Sequence, residues 1–221
     1  YNTFDFIMDI SDEAGIKNTF YFITDQSYIA NPAPYKMRHP LIRDLLRRLH
    51  RRGHEIGLHL SYHTYQNLVQ GKKEFDILKE VREEENIQQN TWGAPQHFLR
   101  WKTPTTFQNG QDIGLNYDTT LGFADQAEFR CGVCYPVYNL ETRQPLALYE
   151  IPLIIMDATF INTGYMNLDL QEEQTVYTII QYKKRCQMFS GVFTLLWHNN
   201  YLVESYQVEA YKKILGLQLE S

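Results

Sequence analysis

The residues best placed to do chemistry are two histidines four positions apart. They lie in Gly53-His54-Glu55-Ile56-Gly57-Leu58-His59-Leu60-Ser61-Tyr62-His63-Thr64. If His59 closes an apolar strand and His63 sits one turn on, their imidazole nitrogens can share a cation at ~2.0–2.1 Å, the usual zinc–nitrogen distance. Ser61 and Thr64 can support such a turn by hydrogen bonding. His54-Glu55 opens a zincin-like pattern, but the second His of that pattern falls at position 58, which is Leu. On its own, a His pair at this spacing is more often packed in a core or on a surface than bound to metal. Cys131-Gly132-Val133-Cys134 is the one closely spaced pair among three cysteines. It is half of a four-ligand structural zinc site, so two reduced thiols beside a turn are the default reading.

These residues need a scaffold, and the pattern of the chain indicates one. Short runs rich in β-branched and aromatic residues alternate with longer helical patterns, the signature of parallel strands joined by crossover helices. Strands are expected at Thr19 to Ile23, His54 to His59, His97 to Trp101, Asn116 to Gly122, Leu148 to Ile155 and Gly191 to His198. Helices are expected at Thr3 to Ala14, His39 to Arg52, Lys72 to Glu85, Leu170 to Phe189 and Ser205 to Leu215. The fold class is therefore α/β, read as one domain over residues 1–221, since a single α/β barrel reaches this size. A barrel of strand-then-helix units begins with a strand, so the opening helix places one further strand before Tyr1. Asp125 to Thr142 reads as a long loop, the kind of segment that carries function in such folds.

Composition excludes several classes. A hydrophobic share of 43% and a charged share of 21% are those of a globular chain, neither disordered nor fibrous. A net charge of −5 without a long basic run gives no footprint for nucleic acid. The cluster Arg43, Arg47, Arg48, Arg51 and Arg52 alternates with Ile42, Leu45, Leu46 and Leu49, as on the solvated face of an amphipathic helix. No stretch approaches the ~20 apolar residues of a membrane span. Aromatics reach 14%, enough for a packed interior and a few rings lining a cleft.

Gly-His-Glu-Ile-Gly followed by His, three residues and His resembles the metal-binding motif of the polysaccharide deacetylases of carbohydrate esterase family four. Further stretches fall in that family's order. Thr19-Phe20-Tyr21-Phe22 resembles its second strand, Leu99-Arg100 with Pro104 its arginine motif, and Leu195-Leu196-Trp197-His198 its final histidine motif. The cast of His97 to Arg100, Tyr117 to Ala124 and Phe129 to Gly132 is similar to an uncharacterised bacterial branch. The resemblance implies a seven-stranded (β/α) barrel and a divalent metal, zinc by preference, held by His59 and His63. The third ligand and the general base would come from an Asp-Asp motif on the first strand, upstream of Tyr1. Asp5, Asp9 and Asp12 do not fill that place, because they lie within a helical pattern. Pro104 follows Arg100 by four positions, a longer spacing than the family's.

What the resemblance implies for the remaining residues is a hydrolase of carbon–nitrogen bonds that removes an N-acetyl group from a sugar or polysaccharide. Arg100 would keep the upstream Asp ionised, and His198 would protonate the leaving amine, a task that suits a group with a pKa close to working pH. Asp157, just after the apolar Ile151 to Ile155, is the candidate to pair with His198, although an Asp there also suits a helix cap. Arg130, Asp118 and Trp197 are candidates to contact a carbohydrate or other N-acylated small substrate, while Arg130 and Asp118 could equally brace the long loop. The expected compartment is the bacterial cytoplasm. Two other readings are a catalytically silent glycan-binding relative and a hydrolase of non-sugar amides or imides on the same scaffold.

Overall fold

Fifteen regular elements follow one another in this computed structural model, which describes residues 3–24, 35–135, 137–138 and 146–217. In chain order they are α1 (Phe4–Glu13), β1 (Thr19–Phe22), α2 (Pro40–Arg51), β2 (Glu55–Leu58), α3 (Leu68–Glu84), β3 (Gly93–Ala94), α4 (Thr105–Ile113) and β4 (Tyr117–Asp118). There follow β5 (Val137–Tyr138), β6 (Tyr149–Glu150), β7 (Ile155–Met156), α5 (Asp157–Ile161), α6 (Glu173–Met188), β8 (Leu195–Leu196) and α7 (Ser205–Leu215). The chain divides into two compact units, each assembled from separate stretches of sequence.

One unit comprises Asn18–Thr120 and Val137–Glu150. Its strands β1 and β2 run parallel, with Thr19 opposite Glu55 and Phe22 opposite Leu58. The order β3-β4-β6-β5 forms a second sheet, parallel except for the antiparallel β5. Just past β2, Leu60 bridges to Gln96 in parallel sense. Two glycines allow tyrosine rings to lie flat on these strands. A Cβ at Gly57 would stand 2.3 Å from the Tyr21 ring, and one at Gly93 2.0 Å from the Tyr117 ring. Helix α2 begins at Pro40, where a missing N–H is harmless, and His39 caps it by accepting from Leu41 N–H. It buries Leu45, Leu46 and Leu49. The arginines on its other face are taken up by acids. Arg43 reaches Glu84 and Glu85, Arg47 reaches Glu85, and Arg48 reaches Asp44 at 2.9 Å.

The other unit comprises residues 1–17, 121–136 and 151–221. Here β7 and β8 pair in parallel, Ile155 opposite Leu195 and Met156 opposite Leu196. Around them Ile154, Ile155, Phe160, Val176, Ile179, Cys186, Ala210 and Ile214 form a buried cluster. Helix α7 starts on a capping box in which Glu204 and Gln207 each bond the other's backbone N–H. Thr3 Oγ1 donates to the Asn199 carbonyl at 2.9 Å, so the start of α1 is fastened near the start of α7 in sequence.

The alternation of strands and helices is as expected, and the five expected helices are present to within a few residues. Several details differ. His97 to Trp101 is not a strand: His97–Leu99 form a 3-10 turn in which Phe98 and Leu99 take φ of 59° and 53°. The strand lies earlier, at Gly93–Ala94, and Gln96 is turned out of it by its N–H bond to Thr120 Oγ1 at 2.9 Å. The single strand expected over Leu148 to Ile155 is two strands in different units, parted at Pro152, which has no N–H to give to a ladder. Helices α4 and α5 and strand β5 are additional. Among the described residues the strands form three separate sheets and no closed seven-stranded barrel. Part of the expected long loop, positions 136 and 139–142, lies outside the described residues, as does Tyr1. Among the described residues no helix is long and apolar enough to cross a membrane.

Candidate active-site residues

The histidine segment leaves β2 at its C-terminal end. His59 N–H donates to the Phe22 carbonyl at 2.8 Å, one residue beyond the ladder, and the next residues turn. Ser61 and Thr64, expected to support the turn, do so. Thr64 Oγ1 donates to the Ser61 carbonyl at 2.6 Å. Ser61 gives both its N–H, at 2.9 Å, and its hydroxyl to the carboxylate of Glu74. Gln70 Nε2 adds a bond to Glu74 at 2.9 Å. Glu74 stands on α3 with 0% exposure, in the middle of the turn's wiring. The sequence reading passed over it, because Glu on a helix is nearly always solvated. The only hint was a Ser between two His, a donor that needs an acceptor when buried.

Replacing Glu74 with Gln sets an amide N–H2 against donors that now meet two carboxylate oxygens. A buried donor left unmatched costs about 1–3 kcal/mol, so the melting temperature of E74Q falls by roughly 3–10 °C. Thermal denaturation followed by circular dichroism measures it, and an unchanged midpoint would show that Glu74 does not secure the turn.

The second histidine is held differently. His63 is exposed, precedes the 3-10 turn Thr64–Gln66, and meets the Tyr62 ring edge-on at 5.0 Å. Arg100 brackets it. Its guanidinium donates to the Tyr62 carbonyl at 2.7 Å and the Tyr65 hydroxyl at 2.8 Å, and lies 3.8 Å and 4.1 Å over those two rings. Among the described residues Arg100 contacts no carboxylate, so here it positions the histidine turn. His97 places its ring 5.0 Å from that of His59 and stacks on Phe98.

In the other unit, parallel pairing of β7 and β8 sets the residues after both strands side by side, and the chain there reads Asp157 and His198. Asp157 is 1% exposed. Its Oδ1 accepts from His198 Nδ1 at 2.6 Å and from Ala158 N–H at 2.6 Å, while Oδ2 accepts from His198 N–H at 2.5 Å. Backbone and ring of His198 are thus fixed by one carboxylate, with Nδ1 as donor and Nε2 left for other work. Burial pulls the imidazole pKa down, but the hydrogen bond and the charge of Asp157 outweigh it, and the net shift is upward. Trp197 turns away from such work. Its indole N–H donates to the Tyr201 carbonyl at 3.1 Å and its ring packs 5.1 Å from Tyr211. Arg130 braces its own loop, donating to the Gly122 carbonyl at 2.9 Å with its guanidinium 5.5 Å from the Phe123 ring.

Asp118 is in the sheet rather than at a surface. It is 1% exposed, stands opposite Glu150 in the β4–β6 register, and hydrogen-bonds to it. Thr120 N–H donates to its Oδ1 at 2.7 Å. Burial raises the Asp118 carboxyl to about 6, against the lowering effect of the Glu150 and Thr120 bonds. Two carboxyls in such contact are best held with one proton between them. Glu150 was not singled out in the sequence, where one acid at the end of an apolar run carries no sign of its partner.

For a metal, the donors that the chain offers are the imidazoles of His59 and His63, nitrogen ligands that suit zinc. Among the described residues no three His, Cys, Asp or Glu side chains gather to hold an ion. A catalytic zinc takes three protein ligands, so these residues are short of a complete set.

A family model described as polysaccharide deacetylase matches residues 2–113 of the 221 in the chain. The match takes in the histidine turn and Arg100 and ends before Asp157 and His198. The chain is also similar to the crystal structure of Puue allantoinase, at 14% identity and a TM-score of 0.56, over 95% of this chain. It spans 63% of the length of that allantoinase. At this identity the likeness is one of fold. No curated protein matches the chain at a significant level.

Proposed function

Since the chain belongs to the polysaccharide deacetylase family, we propose that it is an amide hydrolase that removes an N-acetyl group from a sugar or polysaccharide. In this reading His59 and His63 are two ligands of a divalent metal, zinc, and the third ligand comes from outside the described residues. The bound ion would supply a Lewis acid for the acyl carbonyl and a water of lowered pKa. Everything else is the work of the chain's own side chains. Glu74 and Arg100 hold the histidine turn in place. Asp157 keeps His198 oriented and protonated, and His198 Nε2 passes its proton to the leaving amine nitrogen as the C–N bond breaks. Arg130, exposed on its loop, is the candidate for contact with the N-acylated substrate. All three cysteines are thiols, which supports a reducing compartment, the cytoplasm.

The observation that carries the reading is the His59–His63 turn, secured from two sides and lying inside the family match. The test uses the full-length protein. Elemental analysis finds about one zinc-like ion per chain, and His59→Ala loses both the ion and the hydrolysis of N-acetylglucosamine oligomers. Undiminished activity in that variant would sink the mechanism. Hydrolysis of small cyclic amides or imides in place of the oligomers would overturn the sugar substrate and leave the hydrolase.

A further inference from the structure

The sequence pairs Cys131 with Cys134, but the structure gives Cys134 a different neighbour. Cys186, in the last turn of α6 with 0% exposure, lies in hydrogen-bonding contact with Cys134, itself 5% exposed. The chain after α6 is drawn against both. Gly191 N–H donates to the Cys186 carbonyl at 2.8 Å and Val192 N–H to the Cys134 carbonyl at 2.7 Å. A Cβ at Gly191 would lie 2.2 Å from Cys134 Sγ, so only glycine lets the segment close over that sulfur. Cys131, three positions before Cys134, is more exposed than the other two.

Buried thiols commonly behave as small hydrophobes and nothing more. Here two of them touch, and a third, less buried one stands three positions before Cys134 along the chain. We propose that Cys134 and Cys186 are a reversible disulfide pair, oxidised by a small disulfide such as oxidised glutathione that enters through Cys131. The Cys131 thiolate attacks the glutathione disulfide and releases one glutathione. The Cys134 thiolate attacks the Cys131 sulfur of the mixed disulfide and releases the second. The Cys186 thiolate then attacks the Cys134 sulfur and returns Cys131 as a thiol. In sum two protein thiols are oxidised to one disulfide, and glutathione disulfide is reduced to two glutathiones, which take up the two protons.

The environment explains why a relay is needed. Burial, reinforced by Cys134, pushes the Cys186 thiol up to about 12, so its thiolate is scarce and its direct reaction with an oxidant slow. Burial also raises the Cys131 thiol, with the charge of Arg130 acting the other way. The exchange therefore speeds up as pH rises.

The experiment incubates full-length protein with oxidised glutathione at about pH 8.5, where thiolates begin to form, and maps peptides without reduction. The expected product joins the Cys134 and Cys186 peptides and leaves Cys131 open to alkylation. It melts roughly 5–10 °C higher than the reduced protein, and dithiothreitol reverses the gain. Cys131→Ser, a change at the most exposed of the three, yields the same cross-link about 10-fold more slowly. A final product consisting of a Cys131–Cys134 bond or a Cys131 glutathione adduct, with Cys186 alkylated only after unfolding, would overturn the pair. An unchanged rate in Cys131→Ser would overturn the relay.

Discussion

Asp157→Asn lowers turnover of an N-acetylated substrate by about 100-fold, toward the lower end of the 10²–10⁴ range for a positioned general acid. The amide keeps the shape of the carboxylate but loses its charge and one of its acceptors. His198 then loses the charge that helped offset burial, which favours the neutral ring, and its pKa falls from its raised position. A general acid works only while protonated. The alkaline limb of the kcat/KM profile therefore moves to lower pH in the variant, whereas a merely structural Asp would lower the rate with the profile in place. Initial rates across pH 5–9 decide it, the span in which an imidazole titrates. A profile unmoved by the substitution would remove Asp157 and His198 from the acid step.

Asp118→Asn produces the largest change in stability. The carboxyl is raised from the ordinary 3.8 to about 6 by burial. The folded chain therefore holds a proton there that the unfolded chain gives up. That favours the fold fully below pH 3.8, and the advantage is lost as pH rises through 6. At 1.36 kcal/mol per unit the shift corresponds to about 3 kcal/mol. Asparagine offers an N–H to an ionised Glu150 and an oxygen to Thr120, and it cannot itself ionise. D118N thus melts higher than the wild type at pH 8, while the two converge near pH 4. Parallel melting curves at both pH values would show that the Asp118–Glu150 contact carries no shared proton.

What could be seen in the sequence depended on whether a residue's partner was local. The end of β2 and the spacing of His59 and His63 are contained in twelve consecutive residues, so strand, turn and donors were all legible there. Asp157 and His198 could be matched because each follows an apolar run, and two adjacent parallel strands bring such positions together. Glu74, by contrast, resembles any charge on a helix until Ser61, 13 positions away, is known to be beneath it. Arg100 was found but on the wrong element, because the aromatic run from His97 to Trp101 imitates a strand. The true strand was hidden in Gly93–Ala94, whose glycine is required by the Tyr117 ring and has no β propensity of its own. Pro152 was in plain view, yet the apolar residues on both sides of it outweighed the meaning of its missing N–H.

The interleaving of the two units governs how the polypeptide must be assembled. The chain passes from one to the other after Lys17, Thr120, Pro136 and Glu150. Helix α1 is synthesised before the whole of the other unit, and every other part of its own unit lies beyond position 120. Thr3, just before α1, bonds to Asn199, so the unit that holds the buried side chains Ile7, Met8 and Ile10 is not complete until the chain beyond position 199 has been synthesised. Contacts between residues 196 positions apart close slowly and late. A nascent chain stalled before position 199 carries an apolar helix whose own unit is unfinished, a ready target for a holdase chaperone.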